Sequence, residues 1–91
     1  MQTNEEEQMI RQGDNAEMLL GIEAFSETVD NMVHQSFQNF VNSKPEETGA
    51  RERAYSHYRA LVDIVSTLQQ QVSIKNEINA KNERDNNEEV E

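Results

Sequence analysis

Apolar residues in the second half of the chain recur with the spacing of a coiled-coil helix. Successive steps of four, three, four, three and four residues connect Ala54, Tyr58, Leu61, Val65, Leu68 and Val72. This spacing places all of them on one narrow stripe of a helix, which is the a/d seam of a coiled coil. The stripe, called the seam below, predicts burial against another helix. It indicates how the chain packs and not what the chain does.

A second and wider apolar face precedes the seam, between residues 15 and 42. Apolar residues recur there every three or four positions, at Ile22, Phe25, Val29, Met32, Val33, Phe37, Phe40 and Val41. The breadth of this face is typical of an amphipathic helix that packs into a core. The pattern therefore predicts a helix over 15–42, with a joint at Gly21.

The residues that follow this face form the clearest break in the helical pattern. Pro45 cannot continue the preceding helix, and Ser43 with Glu46 is typical of a capping box that starts the next one. The connection is short, so the two helices should be neighbours in an antiparallel hairpin. The second helix is predicted to run from about Pro45 to near Ala80.

The two ends of the chain give weaker patterns. Thr3 and Glu6 predict a capping box at the start of a short helix over residues 4–12. Gly13 costs a helix about 1 kcal/mol relative to Ala, so a break is predicted near Gly13 and Asp14. Past Val72 the next positions of the seam are polar, and this end of the long helix is predicted to remain free for a partner.

These patterns divide the chain into three parts. They are an acidic N-terminal segment with a weak helix (1–14), a helical hairpin with its turn near 43–49 (15–78), and an acidic, Asn-rich tail (79–91). The tail has few apolar residues to offset the entropy of ordering, so it is expected to be disordered or a frayed helix.

Composition limits what this chain can bury alone. Its 91 residues are 34% apolar, with three Gly, one Pro and no Cys. So little apolar content supplies only a thin core, which favours gaining further core by self-association. The predicted fold is all-α: an antiparallel helical hairpin with a short N-terminal helix, completed by oligomerisation into a dimer.

The charge of the chain limits its partners. A net charge of −10 repels nucleic acids and anionic lipids, so no direct nucleic-acid or membrane partner is expected. No apolar run approaches the length of a membrane span, and the acidic start does not resemble a signal peptide. The chain is therefore expected in the cytoplasm.

The residues that could carry chemistry do not assemble into a predicted catalytic or metal site. His34 and His57 lie on different predicted helices, and neither has carboxylates spaced as paired metal ligands. The carboxylates form terminal runs without a fixed nucleophile, which is typical of solvated charge. We expect no enzyme activity, metal, cofactor or small-molecule substrate.

Basic and aromatic residues concentrate at the start of the long helix. They are Arg51, Arg53, Tyr55, His57, Tyr58 and Arg59. Tyr55 and Arg59 share a helix face and are predicted to stack. The group is either a recognition surface for an acidic partner or a phosphate, or an intramolecular set whose arginines oppose the acidic helix over 15–42. We favour the second interpretation, because those acids lie in the connected helix.

The central part of the chain resembles a group of small bacteriophage proteins. The residues that carry the resemblance are Ser43-Lys44-Pro45-Glu46-Glu47, Arg51-Glu52-Arg53-Ala54-Tyr55 and Tyr58-Arg59-Ala60-Leu61, followed by the Leu/Val seam. In those proteins a helix and a Pro-containing turn lead into a similar helix, and the resemblance covers about residues 16–78. It implies an accessory or virion-associated phage protein and carries over no catalytic residue.

The pattern as a whole predicts a protein that works by contact with itself or with another protein. The predicted interaction residues are Phe25, Val29, Met32, Phe37, Phe40, Tyr58, Leu61, Val65, Leu68 and Val72. The alternative is an acidic mimic of nucleic acid that inhibits a nucleic-acid enzyme, with Glu17, Glu23, Glu27 and Asp30 in place of phosphates. A third hypothesis, a DNA-binding helix pair using Arg51, Arg53 and Arg59, is disfavoured by the net charge.

Overall fold

The computed structural model describes the backbone of residues 3–90 and the side chains of residues 3–87. This part of the chain contains three α-helices and no strand: α1 (Asn4–Gly21), α2 (Glu23–Asn42) and α3 (Thr48–Val90). The all-α prediction is therefore confirmed. The helices divide between two compact units, which we call the α1 unit and the α2 unit. The α1 unit combines α1 with the part of α3 after Ser66, and the α2 unit combines α2 with the part of α3 before Thr67.

The two residues of the predicted capping box, Thr3 and Glu6, close the first turn of α1, with the Glu6 carboxylate on the Thr3 hydroxyl and not on its backbone N–H. The Thr3 hydroxyl accepts a hydrogen bond from the Glu6 backbone N–H at 3.0 Å, and it donates one to the Glu6 carboxylate at 3.4 Å. Glu5, Glu6 and Glu7 lie in the same turn, where the positive end of the helix dipole favours carboxylates. Local sequence chemistry is sufficient to start this helix.

The predicted break near Gly13 and Asp14 is wrong, because α1 continues through both residues. Gly13 is buried, and a Cβ added to it would lie 2.4 Å from the Lys75 Cβ and 2.8 Å from the Gln71 carbonyl oxygen. Ala16, three residues later, is also buried. These small residues let α1 approach α3 closely, so packing against α3 offsets the cost of a glycine within the helix.

The joint expected at Gly21 lies one residue further on. α1 ends at Gly21, and Ile22 adopts an extended backbone with φ −83° and ψ 112° before α2 begins at Glu23. The Ile22 carbonyl accepts a hydrogen bond from the Ser26 N–H at 3.1 Å, which is the first helical bond of α2. A single residue in β geometry is enough to separate the two helices.

The connection between α2 and α3 contains Pro45, as predicted, but the predicted capping box of Ser43 and Glu46 is wrong. The Ser43 hydroxyl donates to the Phe40 carbonyl at 2.6 Å and so caps the end of α2. The Lys44 carbonyl accepts from the Glu47 N–H at 2.9 Å in a turn with Pro45 at its second position, which proline favours. The long helix therefore begins at Thr48 and not at Pro45.

The far part of α3 differs from the sequence prediction in two ways. The helix continues to Val90, beyond the predicted end near Ala80, so residues 79–90 are helical, while Glu91 lies outside the described residues. The positions after Val72 are also not left free, since Lys75 is buried and Ile78 and Asn82 are half-buried. Lys75, Ile78 and Asn82 follow Val72 at steps of three, three and four residues. They continue the seam, and two of the three are polar.

The core of the described residues is as thin as the composition predicts. Ala16 and Leu61 are its only buried apolar side chains, while Ser36 and Lys75 are buried polar ones. Many large apolar side chains are exposed: Met9, Met18, Leu19, Ile22, Met32, Phe37, Val41, Tyr55 and Ile64. The three described helices include none that is both long and apolar enough to cross a membrane.

Candidate functional site

Aromatic side chains gather between α2 and the start of α3. The Phe37 and Tyr58 rings lie 5.9 Å apart between centroids, and the Phe40 and Tyr55 rings lie 5.8 Å apart, each pair tilted by 49°. Both separations are those of favourable aromatic pairs. Residues three apart share a helix face, so each helix contributes two rings to the same side. We call these four residues the aromatic cluster; of the chain's five aromatic residues, only Phe25 lies outside it.

The aromatic cluster borders two clefts. The four rings enclose a small cleft of about 80 Å³ whose walls are entirely apolar. A larger one, of about 390 Å³, lies at the start of α3 and is lined by Phe40, Thr48, Arg51, Glu52 and Tyr55. We call the larger one the α3 cleft. Its volume lies within the range of ligand pockets, and its lining combines aromatic rings with charged groups of both signs.

Among the described side chains no ion pair joins an arginine of this region to an acid of α2, so the expected opposition to those acids is wrong, although Arg51 does contact α2 within the chain. The Arg51 guanidinium carbon lies 5.6 Å from the centroid of the Phe40 ring, in a cation–π contact. Arg59 pairs with Asp63 on its own helix at 3.3 Å. The predicted stacking of Tyr55 on Arg59 is likewise replaced by the Tyr55 contact with Phe40. Arg51 thus finds its partner on the aromatic face, and Arg59 finds its partner on its own helix.

A buried serine and a histidine form a polar contact within the α2 unit. The Ser36 hydroxyl, whose residue is 3% exposed, lies 3.2 Å from the His57 Nδ1. The hydrogen bond satisfies a hydroxyl that would otherwise be buried without a partner, and such a loss costs about 1–3 kcal/mol. Ser36 is too deeply buried for a nucleophile that meets substrate, so this pair fixes the packing of α2 on α3.

The Ser36 contact gives the two histidines different expected effects on stability. We predict that His57→Ala lowers the free energy of unfolding by about 1–2 kcal/mol, because it leaves the Ser36 hydroxyl unpaired. His34→Ala, at an exposed position of α2, serves as the control and should change stability little. Urea unfolding monitored by circular dichroism measures both, and equal effects would contradict the role of Ser36.

The α1 unit contains a buried lysine with two acidic partners. Lys75 is 8% exposed, and its ammonium pairs with Asp14 at 3.3 Å and with Glu17. The hydrogen bond to Glu17 raises the pKa of Lys75 above its usual value, against an opposing effect of burial and with further support from Asp14. The lysine stem covers Gly13 while its charged end reaches the more exposed carboxylates. This group locks α1 onto α3.

The structure places the predicted interaction residues at different depths. Leu61 alone is buried; Phe25, Val29, Phe40, Tyr58, Val65, Leu68 and Val72 are half-buried, and Met32 and Phe37 are exposed. Leu68 and Val72 belong to the α1 unit, so the seam serves two units and not a single one. The aromatic cluster brings together Phe37, Phe40 and Tyr58. It also includes Tyr55, which is not part of the apolar spacing of the seam. The position of Tyr55, three residues before Tyr58, could have indicated that the two rings share a face.

Within the side chains that the structure describes, no three or more His, Asp or Glu residues are grouped so that they could hold a metal ion. Comparison with protein-family models, with curated proteins and with solved structures finds no match to this chain. Inferences about function therefore depend on the chemistry of these residues.

Proposed function

We propose that this chain is a non-enzymatic interaction or assembly protein that acts through its apolar helix faces. In this proposal α2 and the first part of α3 form an antiparallel hairpin, and a second copy completes its core. The main support is the imbalance between buried and exposed apolar side chains. Leu61 is the one large apolar residue buried among the described side chains, while Phe37 and Val41, one turn apart on α2, are each about half exposed.

The order of contacts between α2 and α3 supports the hairpin. Phe37 contacts Tyr58, whereas Phe40, three residues later, contacts Tyr55, three residues earlier. Residue numbers that rise along one helix while they fall along its neighbour are those of antiparallel helices. Since a short turn joins the two helices, this arrangement also agrees with the usual geometry of helical hairpins.

The composition of the aromatic cluster supports an interaction role. Protein interfaces are enriched in Tyr, Phe and Arg, and a few such residues near the centre of a patch carry most of the binding free energy. The cluster supplies two Tyr and two Phe with Arg51 at its border. Nucleic-acid mimicry has less support, because Glu17, a member of the proposed acidic row, is paired with Lys75.

The biological setting is part of the same proposal and is supported by the resemblance described above. We propose an accessory or virion-associated phage protein that acts in the cytoplasm of the host and assembles with itself or with another protein component.

A surface substitution tests the proposed assembly. Val41 is 55% exposed and lies one turn after Phe37, so Val41→Lys places a charge beside the aromatic cluster without entering the core. We expect the dimer dissociation constant to rise by about tenfold or more, since one buried contact is replaced by an unpaired charge.

Met18→Lys is the matched control for Val41→Lys. Met18 is 65% exposed on α1, and its substitution changes the net charge by the same amount. Sedimentation equilibrium of both variants and of the wild type measures the effect. A Val41→Lys protein that associates as strongly as the Met18→Lys protein would rule out assembly through the face of α2 that carries Phe37 and Val41.

A further inference from the structure

We infer that the α3 cleft binds the guanidinium group of an arginine carried by a basic segment of a partner protein. This inference goes beyond self-association and does not depend on it, since it names a different occupant and a defined chemistry. The lining of the α3 cleft, and the difference between its engaged arginine and its unpaired carboxylate, carry the inference.

The first support is the aromatic lining of the cleft. Tyr55 is 51% exposed, and together with Phe40 it forms the apolar wall. Aromatic ring faces attract cations, and arginine is the cation most often found there. The chain already shows this preference, because the Arg51 guanidinium lies over the Phe40 ring at 5.6 Å. The Tyr55 ring offers an incoming guanidinium a comparable surface.

The second support is the carboxylate of Glu52, which lines the same cleft. No ion pair or hydrogen bond joins the Glu52 side chain to any other side chain that the structure describes. A guanidinium that lies on Tyr55 can reach a neighbouring carboxylate, and charge-assisted hydrogen bonds between these groups are among the strong ones. Thr48, at the first position of α3, adds a hydroxyl to the lining.

The third support is electrostatic and decides between a cationic and an anionic occupant. Arg51 and Glu52 carry opposite charges, so their sum leaves the cleft close to neutral. The Glu52 carboxylate has no side-chain partner among the described residues, so the charge in the cleft that is free to meet an occupant is negative. Arg51 is also engaged with the Phe40 ring, which leaves it poorly placed to bind an anion.

A peptide titration tests this inference on the full chain. The probe is a short Ala-rich peptide with one central Arg, and the control probe replaces that Arg with citrulline, which keeps the shape and removes the charge. We expect the Arg peptide to shift the backbone amide resonances of Thr48, Glu52 and Tyr55 in the ¹⁵N-labelled protein. The citrulline peptide should leave these resonances in place.

Two variants with equal charge changes make the test specific. Glu52→Gln should weaken binding of the Arg peptide by about three- to fivefold, which is the usual effect of one exposed ion pair. Glu27→Gln, at an exposed position of α2, should leave the affinity unchanged. Circular dichroism of each variant confirms that the helices are retained.

The possible results separate this inference from the proposed assembly. Equal shifts with the citrulline peptide, equal effects of the two variants, or shifts confined to other residues would each overturn the arginine site. A Glu52→Gln protein with unchanged peptide binding but a changed sedimentation mass would instead assign the cleft to a second copy of this chain. If Val41→Lys prevents assembly, that variant should still bind the Arg peptide.

Discussion

Leu61→Asp should abolish both the helical signal and self-association of this protein. Leu61 is 7% exposed and is the one large apolar side chain buried in the described part of the chain. Truncation of a buried leucine costs about 2–5 kcal/mol, and a buried carboxylate without a partner adds a further penalty. Small domains are stable by only about 5 kcal/mol or little more, so we expect most molecules to unfold at room temperature.

Ile64→Asp is the control for this prediction. Ile64 lies on the same helix, three residues from Leu61, but it is 52% exposed. The same acidic side chain placed there removes little buried surface, so most of the helical signal should remain. Circular dichroism with thermal melting and sedimentation measures both variants. A Leu61→Asp protein with wild-type mass and melting temperature would show that the core is not centred on this residue.

Gly13→Ala should destabilise the protein although alanine is the better helix former. The substitution gains about 1 kcal/mol of helix propensity. Against this gain, the added methyl group would lie 2.4 Å from the Lys75 Cβ and 2.8 Å from the Gln71 carbonyl oxygen. Neither of these atoms is the end of a flexible side chain, so α1 has to move away from α3. Overpacking of this kind costs about 1–3 kcal/mol, and we expect a net loss of stability.

Gly49→Ala separates the steric effect from helix propensity. Its added Cβ would have one neighbour, the Arg53 Nη1 at 3.6 Å, which is an ordinary contact. This variant should therefore melt at a temperature equal to or slightly above that of the wild type. Amide hydrogen exchange should also be faster in α1 of the Gly13→Ala protein. If Gly13→Ala instead raises the melting temperature as Gly49→Ala does, the close approach of α1 to α3 is wrong.

Local chemistry made part of this fold predictable from the sequence. The spacing of apolar residues indicated helices over most of the chain, and the pair Thr3 and Glu6 indicated where α1 begins. The low apolar content correctly predicted a thin core. Each of these features depends on residues close in sequence or on a sum over the whole chain.

The sequence predictions that were wrong concern residues whose structure depends on contacts with other parts of the chain. A glycine such as Gly13 usually indicates a break in a helix. Only its proximity to Lys75, 62 positions later (75 − 13), shows that α1 approaches α3 closely at this residue. Lys75 interrupts an apolar pattern, yet Asp14 and Glu17 make its burial possible. Ser43 is a residue typical of a helix start, yet its hydroxyl donates a hydrogen bond to the Phe40 carbonyl at the end of α2.

The candidate site was predictable in composition but not in arrangement. The sequence places Phe37 with Phe40 and Tyr55 with Tyr58 at helical spacing, which identifies one aromatic face on each helix. The pairing of these faces, and with it the two clefts, requires the relative position of α2 and α3. The contact of Arg51 with Phe40 could not be inferred from charge, because the partner is a ring and not an acid.

The mass of the wild-type protein in solution tests the central claim most directly. That claim is that one copy leaves too much apolar surface uncovered, so that a second copy completes the core. Sedimentation equilibrium over a range of micromolar concentrations should give a mass that approaches twice the 10.5 kDa of one chain as concentration rises. A constant mass of one chain, with a cooperative melt that does not depend on concentration, would contradict the claim.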